Sequence, residues 1–408
     1  MNHRAFRFLQ AGDFHLEAPM AGLAEIPEHL VDLLVDAPYA AAAKAFQTAL
    51  AEEVEFVLLT GDLLDLKRCG PRGPVFLRDQ FARLAAAEIP VFWLLSSIES
   101  LPWWPEAAPL PSNVHRFAAG RIEERVVSRR DEPLVRLIAY GADGLATVRV
   151  HEFSADPTGL FTLALVRGAL DREALAPRQL QYWALGGPHR WKVEPVPTTV
   201  VHCSGALQSR GPHEPGAFGA TLVQVDDGVA RPMFVPTDVV RWETPRLEID
   251  DLATVEELNE RLEQTANRLL EGAGGLDLFV RWTLAGRGAL IDQLRRPGGC
   301  EPLIEWLRNS LGRQRPAVWS AAIEIDCVGG PPAEWYDEQS FRGDVLRTLR
   351  HWEVNGDLPL DLAGYLSDCV RVDDFAATET PEGEHREKLL HRAALTAVDL
   401  LSDQERRK

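Results

Sequence analysis

The sequence predicts an α/β protein, with parallel strands covered by helices on both faces. Two observations predict it. Apolar runs of strand length alternate with helical stretches over the first hundred residues. Two of those runs end in Gly-Asp, at Gly12-Asp13 and Gly61-Asp62. Each places a carboxylate at the C-terminal edge of the sheet, where α/β proteins collect ligands.

Residues 4–11 form the first predicted strand, followed by Asp13-Phe14-His15. A spacing of two puts Asp13 and His15 on one side of an extended chain. Ala40–Glu53, rich in Ala, Leu and Phe at helical spacing, reads as a crossover helix. It feeds a second strand, Val54–Thr60, which runs into Gly61-Asp62-Leu63-Leu64-Asp65. An Asp held by a rigid strand suits a metal better than one on a loose loop. Asp13, His15 and Asp62 are therefore the nucleus of a metal site.

Val75–Ala87 is a second helix and Ile89–Leu95 an almost wholly apolar third strand. Val114–Phe117, Ile122–Val127 and Leu134–Tyr140 read as strands of a second sheet, and Leu160–Val166 as another buried strand. From residue 246 the pattern changes. Thr254-Val255-Glu256-Glu257 is a capping box, and Leu258, Leu262, Ala266 and Leu269 follow at helical spacing. Leu278–Leu284 alternates as a half-exposed strand, and Ala317–Cys327 is another. Pro331-Pro332 marks a joint. The tail reads as helical at Glu338–Trp352 and Glu384–Leu401, separated by an acidic loop around Asp373–Glu384. The expected domains are 1–240, 246–330 and 331–408.

Charge narrows the functional classes. A net charge of −18 counts against a protein that grips DNA over a wide face, because phosphate contacts need clustered Lys and Arg. One surface can still differ from the whole. The tail holds 17 acidic against 10 basic residues, which argues against a DNA-binding arm there. Five cysteines lie scattered without Cys-x-x-Cys spacing, which excludes a zinc knuckle and points to a reducing cytoplasm. No apolar run reaches the roughly 18 residues of a membrane span, and the first strand begins too early for a signal peptide.

The order of these motifs resembles the calcineurin-like metallophosphoesterases, and more narrowly the SbcD/YhaO-type DNA repair exonucleases. That family runs Asp-x-His, Gly-Asp-x-x-Asp, Gly-Asn-His-Asp, a lone His, then Gly-His-x-His. Asp13-Phe14-His15 and Gly61-Asp62-Leu63-Leu64-Asp65 match the first two. Ser96-Ser97-Ile98-Glu99 stands in the third position and Arg167 in place of the lone His. Tyr182-Trp183-Ala184-Leu185-Gly186-Gly187-Pro188-His189 takes the last, with Gly187 replacing its first His. Gln208, Arg210, Glu214, Gly216 and Gly219 fall at the family's offsets downstream. The resemblance covers about residues 4–240. It implies a sandwich of two mixed sheets flanked by helices, a small α+β capping domain at 246–330 and a helical C-terminal region.

By this resemblance Asp13, His15, Asp62 and His189 hold one divalent metal, Mn²⁺ or similar. The second ion would draw on Asp62, Ser97, Arg167 and Gly187, of which only Asp62 is a ligand. Ile98 stands where the family has its catalytic His. The losses fall on one ion's ligands rather than on both. Two cations roughly 4 Å apart would clamp the attacking and departing oxygens of a phosphodiester, and here the second has too few ligands. Arg167 is expected to pair with Asp62 or Glu99 in its place. No catalytic residue is assigned, and Arg167 and Glu99 are the candidates.

The implied function is a catalytically impaired DNA repair subunit. Its implied partners are an SMC-like (SbcC-type) ATPase, DNA ends and a second subunit, like or unlike itself. Two alternatives stay open: a one-metal phosphodiesterase in which Arg167 replaces the second cation, and a protein-interaction module unrelated to DNA. The residues also have a plainer reading. Asp13 and Asp62 suit helix N-caps, and His15 and His189 suit satisfied core histidines. His151, His202 and His213 are taken as surface or core residues.

Overall fold

The computed structural model describes residues 4–96, 99, 104–141, 147–249, 254–296, 298–327, 331, 333–355 and 383–406. Ser97, Ile98, Pro332 and most of the acidic loop Asp373–Glu384 lie outside the described residues.

In the first sheet β1 (Phe6–Ala11), β2 (Phe56–Leu59), β3 (Val91–Leu94) and β4 (Val114–Phe117) run parallel in chain order. Both β2 and β3 are buried along their whole length, as strands covered on two faces must be. Helices α1 (Glu28–Ala51) and α2 (Arg72–Ala86) make the first two crossovers. Val114–Phe117 belongs here rather than to the second sheet, because Val114 pairs in parallel with Val91.

The second sheet joins β5 (Glu123–Arg129), β6 (Glu132–Gly141), β7 (Phe161–Arg167), β8 (Tyr182–Gly186), β9 (Lys192–Val196) and β10 (Thr199–Cys203). Its order is β5-β6-β7-β8-β10-β9, parallel in the middle and antiparallel at both edges.

Two strands that the sequence reading does not name complete the first sheet. β11 (Gly219–Asp226) lies antiparallel to β1, and β12 (Val229–Pro236) lies antiparallel to β11. Asp227 and Gly228 join them with φ of 50° and 77°, the left-handed pair that a two-residue Asp-Gly hairpin demands. Pro232 and Pro236 obscure β12 in the sequence, and its place at the sheet edge tolerates them. Both sheets are therefore mixed, and helices flank them, as expected.

The core between the sheets is aromatic. Phe6 meets Phe161 edge-on at 5.4 Å, and Phe8 meets Tyr182 in the same way at 5.4 Å. Burying a ring of this size contributes on the order of 2–3 kcal/mol. Polar ties cross the same core. Tyr182 donates its hydroxyl to Gln10 Oε1 at 2.7 Å, and His202 Nε2 lies 2.8 Å from Thr221 Oγ1. His202 Nδ1 lies 3.0 Å from the Lys192 carbonyl, so Nδ1 carries the proton and Nε2 accepts. His202 is a satisfied core histidine, as the sequence reading has it.

Helix α1 begins three turns before the predicted Ala40. Pro38 lies inside the helix, where a proline costs about 3 kcal/mol. Tertiary packing offsets that cost. Leu30, Leu34 and Ala37 on the added turns are buried against Val240, Trp242 and Phe279.

By contacts the chain divides into two compact units. The first comprises Met1–Pro245, Leu262–Trp282 and Glu305–Ala322, and the second Arg246–Arg261, Thr283–Ile304 and Ile323–Lys408. Within the first, β13 (Val240–Glu243) pairs in parallel with residues 277–280 of β15 (Asp277–Gly286). Within the second, β14 (Arg246–Ile249) pairs with residues 283–286 of the same strand.

The predicted capping box opens α3 (Val255–Ala273). Thr254 Oγ1 accepts from Glu257 N at 3.3 Å, and Glu257 Oε2 accepts from Thr254 N at 3.1 Å. Next come α4 (Ala289–Arg295), α5 (Glu301–Ser310), β16 (Val318–Cys327) and the short α6 (Ala333–Tyr336). In the tail, α7 (Phe341–Val354) buries Leu346 against Ala394 and Val398 of α8 (Gly383–Arg406). Among the described residues no helix is long and apolar enough to cross a membrane.

Burial holds the His202 imidazole down to about 4 from an ordinary 6.5. Between those values the unfolded chain binds a proton that the folded chain does not, so stability falls as pH drops through that window. Urea unfolding from pH 7 to pH 4 should show His202→Asn losing less stability than the parent, by up to about 3 kcal/mol.

Candidate metal centre

The ends of β1, β2 and β8 converge on Thr60. A Cβ at Gly12 would lie 1.9 Å from Thr60 Oγ1, and one at Gly186 2.2 Å from the Thr60 carbonyl oxygen. Only glycine allows either approach. The segments after β1 and β2 then bond to each other. Asp13 N donates to the Gly61 carbonyl at 2.9 Å, His15 N to Asp62 at 3.0 Å and Leu16 N to Leu63 at 3.0 Å. This lacing holds Asp13, His15 and Asp62 at φ of 51°, 46° and 52°. Non-glycine residues rarely adopt that region, and each costs on the order of 1–3 kcal/mol there.

Asp13, His15 and His189 each offer a ligand atom, and these atoms lie within 4.8 Å of one another. Three donors suit one divalent ion and leave its remaining positions open. The donor chemistry fits. Among the described residues His15 Nε2 is buried and has no hydrogen-bond partner, which suits it to donate a lone pair to a metal. Burial, with the Arg210 charge second, lowers the His15 imidazole to about 4, so it is neutral at pH 7 as a ligand must be. Burial raises Asp13 to about 6, against the opposing pull of Arg167 and His189.

Asp62, the fourth expected ligand, does not join this group. Its Oδ2 pairs with Arg167 Nη2. Arg167, at the end of β7, also places Nη1 3.3 Å from Asp13 Oδ1 and 3.2 Å from the Thr60 carbonyl. The guanidinium thus spans Asp13, a donor of the first ion, and Asp62, the carboxylate that a second ion would share. The sequence expectation of a pairing with Asp62 is met. Glu99 is engaged elsewhere: its oxygens accept from Leu63 N at 2.7 Å and Ser96 N at 2.9 Å. Burial raises its carboxyl to about 7. Gly187, at φ 112°, lines the slot, where an added Cβ would sit 3.9 Å from Arg167 Cζ. Ser97 and Ile98, the other two substituted positions, lie outside the described residues.

One positioning residue has a role the sequence does not reveal. Glu214 Oε1 lies 2.6 Å from His189 Nδ1, while its Oε2 accepts from Arg210 N at 2.8 Å. His189 Nδ1–H therefore donates to the carboxylate, which leaves the Nε2 lone pair for a metal. Glu214 falls at a family offset, but only the fold shows which histidine it meets. His151 and His213 are exposed and stand apart from the site.

Two outcomes follow for the isolated protein. Glu214→Gln should weaken Mn²⁺ binding roughly 10–100-fold in calorimetry, with the fold intact by circular dichroism. In the parent, Mn²⁺ affinity should fall as pH drops below about 6, because protons then compete for Asp13.

Parts of the chain match known families. Residues 6–201 match the calcineurin-like phosphoesterase family, and residues 242–328 match the middle domain of metallophosphoesterase YhaO. The chain is 24% identical over 333 residues to the uncharacterized metallophosphoesterase YhaO of Bacillus subtilis, covering 78% of this chain and 81% of that one. Solved structures give weaker likenesses. GAP50, the anchor in the inner membrane complex of Plasmodium, is 12% identical with a TM-score of 0.35, over 57% of this chain and 85% of its own. A dimetal phosphatase from Danio rerio is 10% identical with a TM-score of 0.33, over 56% and 98%. The chain carries a calcineurin-like metallophosphoesterase domain at residues 6–201 followed by a YhaO-type middle domain at 242–328, and in that pairing it is similar to YhaO.

Proposed function

We propose that this protein is an SbcD/YhaO-like subunit that engages phosphodiesters at a one-metal site and has lost two-metal hydrolysis. The observation that carries this reading is the Arg167 guanidinium between Asp13 and Asp62. A divalent ion held by Asp13, His15 and His189, Mn²⁺ by analogy with the family, would withdraw charge from one phosphoryl oxygen. Arg167 supplies a fixed positive charge beside it and can hydrogen-bond a phosphate. A guanidinium cannot lower the pKa of a water as a second ion does, so no hydroxide forms on that side.

Gly187 brings no side chain, Ile98 cannot replace the family's catalytic imidazole, and Ser97 is a poorer ligand than the Asn whose place it takes. The protein then acts mainly as a cytoplasmic scaffold for DNA ends, dimeric like its family, together with an SMC-like ATPase. Helices α7 and α8 are its proposed contact with that partner. Phe341 is 71% exposed, Val354 76% and Leu389 39%, apolar side chains of the kind that helix-in-groove contacts use.

The test is calorimetric Mn²⁺ stoichiometry on metal-stripped protein, paired with a nuclease assay on linear duplex DNA. One ion per chain, lost in His189→Ala, with no hydrolysis above that variant's, is the expected result. Two ions per chain with hydrolysis would overturn the reading. One ion with hydrolysis that vanishes in Asp62→Ala would favour instead a one-metal phosphodiesterase in which Arg167 serves as the second cation.

A further inference from the structure

The metal cluster and Arg167 share a carboxylate, and the consequence concerns how the site is regulated. Asp13 is one of the three donors, yet its Oδ1 lies 3.3 Å from Arg167 Nη1. Asp62 is taken up by Nη2 and stands outside the donor group. The guanidinium is well seated. Thr60 accepts from Nη1 at 3.2 Å, and glycine walls the slot, with added Cβ atoms falling 3.4 Å from Nη1 at Gly61 and 3.9 Å from Cζ at Gly187. The Arg167 side chain is still 18% exposed, so one part of it opens to solvent.

Resting on the one-metal reading above, we propose that Arg167 is an internal counter-cation that opposes the metal alone and favours the metal together with a phosphate group. Without an anion, an incoming ion and the guanidinium are like charges competing for Asp13, and Asp62 is withheld. A phosphate bound to the ion reverses the balance. It attracts the guanidinium, turns a repulsion into two attractions and loosens the hold on Asp62, which becomes available as a further donor. Metal and phosphate then bind with positive coupling, and the coupling is reciprocal. The contact is an autoinhibitory one that substrate chemistry relieves.

The experiment titrates Mn²⁺ into metal-stripped full-length protein by calorimetry, with and without inorganic phosphate. Parent, Arg167→Met and Arg167→Gln are compared, the glutamine keeping a donor for the Thr60 carbonyl. Thermal melts establish that each variant is folded. Without phosphate both variants should bind Mn²⁺ about tenfold tighter than the parent, and with phosphate that advantage should shrink or reverse. A merely structural role would weaken binding under both conditions. Variants that bind Mn²⁺ no tighter than the parent without phosphate overturn the proposal, as does a phosphate effect undiminished by loss of Arg167. Two ions bound by the parent would instead strike at the one-metal reading, and no ion bound by any form would overturn both.

Discussion

The site depends on a short ladder of backbone hydrogen bonds between the segments that leave β1 and β2. Asp13, His15 and Leu16 donate in turn to Gly61, Asp62 and Leu63, just beyond the ends of the paired strands β1 and β2 and one residue out of their register after Asp13. Three side chains of ligand type are held in the left-handed region by this ladder. Such conformations persist only where the surroundings over-determine them. Thr60 supplies that surrounding, with glycines from β1's end and β8 pressed against it. The ladder is thus the physical link between the buried sheet and the chemistry at its edge.

Charge is the second constraint. Asp13 is almost wholly buried and Asp62 nearly so, and two carboxylates so placed need a cation. In a two-metal site the ions meet that need. Here the lone histidine of the family pattern is Arg167, and its guanidinium meets it from within the chain. Gly187 fits the same account, since a full imidazole at that position would compete with the guanidinium for space. The opposite side of the cluster keeps its support, with Glu214 orienting His189 and Arg210 anchoring Glu214.

Local patterns carried the fold class, β1, β2 and β3 of the first sheet, the capping box at Thr254 and the paired Gly-Asp turns, because each depends on residues a few positions apart. They carried Asp13 and His15 as well, since the end of β1 places them, whereas His189 came from the resemblance to the family's Gly-His-x-His motif. What local pattern could not reach were long-range choices. The added turns of α1 exist because Leu30 and Leu34 find Trp242 and Phe279, two hundred residues on, and that burial outweighs Pro38. β12 holds its place despite two prolines because it is an edge. Arg167 selects Asp62 and Asp13, while Glu99 is already satisfied by two backbone amides.

The sequence by itself determined which side chains stand at the sheet edge, because strand periodicity and the Gly-Asp turns are properties of neighbouring residues. The tertiary structure decided how those side chains divide between metal donors and a guanidinium. That division is set by distances between β1, β2, β7 and β8, and such distances exist only once the strands are assembled.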